Sequence, residues 1–222
     1  MHKWFVYDEF DKASIAAADF LAKQIEACVK QKGICHIVLP GGGSPAHCLT
    51  YLAKKDLPWS QVNWYLGDER CYPVGHVERN DVMLDRNLWS HILKPNVHRI
   101  PAELGAEQAA KVYRKVIKPV EVFDVVFLGM GEDGHTASLF PDNDALQDTR
   151  SVVPVYEAPK APDERVSLSI STIKKAKCRM VLTAGAGKAK ILAHIRGGAP
   201  LPINMIGDIN WYVDEAAMST GI

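Results

Sequence analysis

The chain has 222 residues, and its 26 lysines and arginines balance 26 aspartates and glutamates, so the formal net charge is zero. That balance removes the electrostatic case for nucleic acid or an anionic membrane as a partner, and 47% apolar with 23% charged residues is too apolar for disorder. A chain this long buries a large core without staples and is expected to form one domain over residues 1–222.

Ile15, Ala18, Ala22, Ile25 and Val29 recur at helical spacing, which predicts a helix over Asp11 to Lys32 ended by Gly33. Ile34 to Leu39 reads as a short buried strand, Pro40 to Pro45 as a turn and Ala46 to Leu52 as a helix. Val62 to Leu66 is a second strand, and Asn80 to Ile92 and Ala106 to Ile117 are helices. His98 lies in an alternating strand. Phe123 to Leu128, continuously apolar after Asp124 and followed by glycine, is the central strand. Val152 to Tyr156, Val166 to Ile170 and Arg179 to Thr183 are further strands. Lys188 to Ile195 is a helix stopped by Gly197-Gly198, and Trp211 to Met218 a last short helix. This alternation predicts an α/β fold: a doubly wound, mostly parallel, Rossmann-like sheet with helices on both faces.

Ligands of such sheets bind outside the carboxyl ends of the strands. Four polar or glycine-rich loops fall there, after Leu39, Leu66, Leu128 and Thr183. Gly42, Gly43 and Ser44 open a helix and offer backbone N–H groups and a hydroxyl to an anion, for which phosphate is the expected guest. No Gly-Lys-Ser/Thr follows, so the turn is not a P-loop. Asp68-Glu69-Arg70 brings two acids and a guanidinium to the same rim. Gly129-x-Gly131-x-x-Gly134 has dinucleotide-fingerprint spacing, but Pro141-Asp142 cuts short the helix such a site needs. His135 is better read as a base that deprotonates water, with Asp133 fixing its tautomer. Lys188 begins a helix, where a cation is poorly placed unless an anion sits beside it. Arg165, taken alone, reads as charge flanking a strand. No cluster has metal-ligand spacing, so neither metal nor cofactor is expected.

Cys28, Cys35, Cys48, Cys71 and Cys178 contain no C-x-x-C pair, and their odd number suits free thiols in a reducing compartment. Asp8 and Glu9 come too early for a signal-peptide core, and no apolar run approaches the ~18 residues that span a bilayer. A soluble, cytoplasmic protein, monomeric or homodimeric, is expected.

The stretch Phe123-Asp-Val-Val-Phe-Leu-Gly-Met-Gly-Glu-Asp-Gly-His-Thr-Ala-Ser-Leu-Phe-Pro141 closely resembles the signature of the 6-phosphogluconolactonases. Leu39-Pro-Gly-Gly-Gly-Ser-Pro45 and Gly67-Asp-Glu-Arg70 resemble two other motifs of that family, and Asn80, Arg165 to Leu168 and Thr183 to Lys188 fall in its order. Leu201 to Asp208 departs from its pattern. The resemblance implies hydrolysis of 6-phospho-D-glucono-1,5-lactone to 6-phosphogluconate, in the oxidative pentose phosphate route. It implies His135 as the base, Asp133 as its support, and Arg70 on either the oxyanion or the phosphate. Gly42, Gly43, Ser44, Asp68, Arg165 and Lys188 would hold the phosphosugar. Related deaminases carry a glutamate where this chain has Phe140, which argues against deamination or isomerisation. A non-catalytic phosphosugar sensor is the other alternative, disfavoured by His135 with Asp133 and by the lack of a basic DNA-binding segment.

Overall fold

Val125-Val-Phe-Leu128 is buried at every position, and a strand covered on both faces belongs in the middle of a parallel sheet. The computed structural model, which describes residues 1–219, puts it there. The first half of the chain runs β1 (Lys3–Tyr7), α1 (Phe10–Lys32), β2 (Cys35–Leu39), α2 (Gly43–Leu52), β3 (Val62–Leu66), β4 (Asp68–Arg70), α3 (Asn80–Asn87), β5 (Asn96–His98) and α4 (Ala106–Ile117). The second half runs β6 (Val125–Leu128), β7 (Val152–Val155), β8 (Arg165–Leu168), α5 (Ile170–Lys175), β9 (Cys178–Thr183), α6 (Ala189–Arg196), α7 (Pro202–Met205), β10 (Asn210–Asp214) and α8 (Glu215–Met218).

Seven strands form the main sheet in the order β1-β10-β9-β6-β2-β3-β5, and every pair in it is parallel. After β2 the chain moves outward to β3 and β5, then returns to the other side of β2 as β6. The strand order therefore reverses between β2 and β6, and a crevice opens there at the carboxyl ends. Helices surround the sheet: α1 packs across β1, β2, β9 and β10. Gly33 ends α1 in the left-handed conformation, φ 77°, and its N–H closes on the Val29 carbonyl at 2.8 Å.

Among the strands, three features differ from the sequence expectation. Val152 to Tyr156 and Val166 to Ile170 were expected in the mostly parallel sheet, yet the strands there, Val152–Val155 and Arg165–Leu168, form a separate antiparallel sheet with Asp68–Arg70, ordered β4-β8-β7. The link from Val155 to Arg165 is shorter than the dozen or so residues a parallel crossover needs, so only a hairpin closes it. The Gly67 N–H reaches the Leu39 carbonyl at 3.0 Å and its carbonyl accepts from Leu168 N at 2.8 Å, which hangs the small sheet on the main one. Second, Asn210–Asp214 is a strand rather than the start of a helix. Trp211, Tyr212 and Val213 are β-prone and buried, and only past Asp214, whose carboxylate caps Ala217 N at 2.8 Å, does the chain turn helical. Third, Lys3–Tyr7 is an edge strand on β10, with Trp4 stacked on Trp211 at 4.8 Å.

Candidate functional site

The loops after β9, β6, β2 and β3 belong to four adjacent strands, so they converge. Between them lies a cavity of about 260 Å³ lined by Gly42, Gly43, Ser44, Asp68, Arg70, His135, Arg165 and Lys188. Eight of the nine expected residues thus meet in one place. The ninth, Asp133, stands behind His135 rather than in the wall.

The glycine turn has three distinct requirements. A Cβ on Gly41 would lie 1.9 Å from Asn80 Oδ1, so this position is fixed by packing. Gly42 has φ +100°, which L side chains rarely adopt. A Cβ on Gly43 would meet nothing within 4 Å, so the fold does not demand glycine there. Helix α2 begins at Gly43, three residues earlier than its sequence suggested. Gly43 and Ser44 therefore occupy its first turn, where unpaired N–H groups and the helix dipole favour an anion.

Three cations face this turn without a carboxylate. Arg70 donates Nη1 to the Glu78 carbonyl, and its Nε is buried with no partner. Arg165 donates to the carbonyls of Lys160 at 2.8 Å and Pro162 at 3.2 Å. Lys188 donates Nζ to the Met130 carbonyl at 2.9 Å. Among the described residues none of the three has an acidic side chain at ion-pair distance. Arg70 and Arg165 are direct partners across β4 and β8, an arrangement that repels unless an anion bridges it. Burial, then Arg70, pushes the Arg165 guanidinium below its ordinary range, and burial does the same to Lys188. Arg165 read as a flanking charge because nothing in its own segment announces the antiparallel pairing that aims it here.

His135 follows β6 in a tight turn and donates from Nδ1 to Asp133 Oδ1 at 2.6 Å, while its backbone N–H reaches the same oxygen at 3.1 Å. Burial pushes the Asp133 carboxyl up, but these bonds win and hold it below the usual range. With Nδ1 committed to the carboxylate, Nε2 carries the lone pair. No dinucleotide helix follows: Thr136 and Leu139 instead close a short bridge.

Glu69 does not join the rim. It is fully buried and accepts from the backbone N–H groups of Arg70, Asn80 and Asp81 at 2.7–2.8 Å, capping α3 from outside. Burial outweighs these bonds and pushes its carboxyl up to about 7. Sequence reasoning assigned no role to Asn80, Ser138 or Asp214. Asn80 donates Nδ2 to Asp68, and Ser138 Oγ donates to Asp68 Oδ2 at 2.6 Å, which locks that carboxylate in the wall. Asp214 accepts Gly185 N at 2.9 Å and so holds the turn that carries Lys188. Its one sequence signal was the cap pattern Asp-Glu-Ala-Ala. The Leu201–Asp208 segment stays out of the cavity and touches the site from behind, where Ile203 N donates to the Gly134 carbonyl at 3.2 Å.

Two other places gather polar side chains. A larger cavity, about 630 Å³, lies beyond Phe140, but Asp133, Asp142, Asp144, Asp148 and Glu157 line it against one arginine, Arg150; an anion is repelled there. The side-chain ligand atoms of Cys28 and Cys35 come within 4.8 Å of each other and of Asp124, which lies far along the chain, a grouping that spacing did not reveal. Asp124 is already bound by Lys32 at 2.8 Å and Lys177 at 3.1 Å, so its charge is satisfied without a metal.

Comparison with known proteins gives a consistent result. The family model described as glucosamine-6-phosphate isomerases/6-phosphogluconolactonase matches residues 8–213. The 6-phosphogluconolactonase of Mycobacterium tuberculosis is 34% identical over 96% of this chain and 95% of its own length, and the human one is 31% identical over 96% and 91%. The crystal structure of 6-phosphogluconolactonase from Thermotoga maritima superposes with a TM-score of 0.88 at 26% identity, covering 96% of this chain and all of that one. A monomeric glucosamine-6-phosphate deaminase shares the fold, with a TM-score of 0.84 at 19% identity.

Proposed function

The chain belongs to the glucosamine-6-phosphate isomerase/6-phosphogluconolactonase family, and from that premise we propose that it hydrolyses 6-phospho-D-glucono-1,5-lactone to 6-phospho-D-gluconate, in the oxidative pentose phosphate route. The observation that carries this reading is the meeting of His135 with three carboxylate-free cations around one cavity. A phosphosugar lactone needs both parts: a dianion site to hold one end and a base for the other.

The phosphate lies on the Gly43 and Ser44 N–H groups, where Arg165 and Lys188 complete its charge. Anchoring it places the lactone C1 carbonyl beside His135 and converts a bimolecular attack into a positioned one. Nε2 of His135 takes a proton from water, and the hydroxide adds to C1. Asp133 holds the imidazole and stabilises the imidazolium that forms. Collapse of the tetrahedral intermediate breaks the C1–ring oxygen bond, and the imidazolium returns its proton to that oxygen. Arg70, unpartnered at Nε, stabilises the oxyanion that develops on the former carbonyl. A lactone is an activated ester, so no covalent nucleophile is needed.

Phe140 fills the place where the related deaminases carry a glutamate, and its apolar ring offers no acid for ring opening. No helix among the described residues is long and apolar enough to cross a membrane, and the five unbridged cysteines suit a reducing cytoplasm. The cavity is built from one chain, so a monomer and a homodimer carry it alike.

The test generates the lactone in situ and follows 6-phosphogluconate with a coupled dehydrogenase, subtracting spontaneous hydrolysis. A rate well above background is expected. A rate equal to background, or release of ammonia from glucosamine 6-phosphate, overturns the assignment.

A further inference from the structure

Phe140 has so far served only as an absence, the place where a glutamate is missing. Its position gives it a role of its own. The side chain is 4% exposed, and its ring contacts two groups from different elements. The imidazole of His135 lies 4.6 Å away, centroid to centroid, at an interplanar angle of 48°. The guanidinium carbon of Arg165 lies 5.5 Å from the same centroid. Phe140 also lines the larger acidic cavity, whereas His135 and Arg165 line the smaller one. The ring is therefore a partition between a cationic chamber and an acidic one.

An aromatic face carries partial negative potential and attracts cations. Arg165 is cationic at all times; His135 becomes so only when it takes the proton from water. We infer that Phe140 is a positioning residue, whose single ring fixes the spacing between base and phosphate cation and favours the imidazolium over the neutral imidazole. This inference rests on the lactonase reading for its kinetic consequences, but not for its effect on His135. The other groups that set the charge around His135 are Asp133 and Glu132 on its own turn, Asp68 and Arg70 from β4, Arg165 from β8 and Lys188 from the turn before α6. Three of these are acids and three are cations, and the ring sets its negative face beside them without adding a charge.

The experiment compares Phe140→Leu and Phe140→Tyr with the natural protein, reading the His135 midpoint by NMR and kcat and KM across pH. In Phe140→Leu the His135 midpoint and the acid limb of kcat/KM fall by about half a unit, the size of a cation–π contact of roughly 0.5–1 kcal/mol. In the same variant KM rises as Arg165 loses its seat. Phe140→Tyr keeps the ring and restores both. A fluorinated phenylalanine series at 140 keeps the shape, so it answers the question even if the leucine variant does not fold: a graded fall of the midpoint with fluorination is expected. An unmoved midpoint across that series, or equal displacement in the leucine and tyrosine variants, overturns the inference. If the natural protein shows no lactonase activity, the functional reading fails while the titration still judges the ring.

Discussion

The two rims of the main sheet use the same ingredients to opposite ends. At the amino rim, Asp124 enters β6 with its side chain fully buried, bound by Lys32, Lys177 and the His36 N–H. Burial pushes its carboxyl up, yet the lysines and that N–H hold it below the usual range. At the carboxyl rim, Arg70, Arg165 and Lys188 gather with their hydrogen bonds given to backbone carbonyls and, among the described residues, no ion pair. One rim is neutralised from within and ties α1, β2 and β6 together. The other is left incomplete, and in the proposed reading a dianion completes it. Charge that is paired holds the fold; charge held apart from its complement marks where a ligand belongs.

Substitutions at the two rims should therefore separate stability from catalysis. The largest effect belongs to His135→Ala, expected to lower kcat by ~10²–10⁴ with little change in KM or melting temperature; steady-state kinetics beside a thermal scan checks it. Glu69, buried behind the carboxyl rim, should show in the pH dependence of stability. The folded protein holds its proton more tightly than the unfolded chain does, with a midpoint of about 7 against an ordinary 4.5. Its contribution is thus complete below pH ~4.5 and lost as pH rises to 7, by about 3 kcal/mol. Denaturant titrations across that window should show the decline, and Glu69→Gln should flatten it.

At the amino rim, Asp124→Asn should cost about 1–3 kcal/mol through lost charge-assisted hydrogen bonds while kcat stays put. An equal loss of kcat would erase the contrast between the rims. The smallest effect is the most discriminating, because it falls within one turn. Gly43→Ala should leave the melting temperature unchanged and raise KM several-fold, since only a ligand would meet the new methyl group. Gly41→Ala should instead lower the melting temperature, because Asn80 must move. Identical behaviour of the two variants would contradict the separation of packing from anion binding.

How much of this was legible beforehand depends on whether the information is local. Val62–Leu66 and Ala106–Ile117 follow their sequence expectations to the residue, because apolar periodicity and terminators lie within each segment. The glycine turn and His135 were visible because strand-end loops concentrate function, and their convergence followed from the parallel order. The antiparallel β4-β8-β7 sheet was not: the short link between β7 and β8 already demanded a hairpin, but the pairing of β4 with β8 joins segments nearly a hundred residues apart, and nothing in either announces it. Without that pairing the sequence shows Arg165 only as charge flanking a strand and Glu69 only as a rim acid. Ser138 and Asn80 escaped for a similar reason: their roles are defined by a carboxylate on another element. The Cys28, Cys35 and Asp124 grouping shows the same limit at the amino rim.

The pairing of β1 with β10 has a kinetic meaning. Lys3–Tyr7 finds its register on Asn210–Asp214, so β1 must wait for a strand that follows it by more than 200 residues. Until β10 arrives, Trp4 has no Trp211 to stack on, and β9 presents an open edge to its surroundings. Edges of this kind invite foreign strands, and contacts so distant in sequence close slowly. The carboxyl-rim loops lie on strands that can pair earlier, whereas the Asp214 carboxylate that anchors the Lys188 turn comes with β10. The strand that covers the open edge of β9 is thus also the one that brings the Asp214 carboxylate to the turn carrying Lys188.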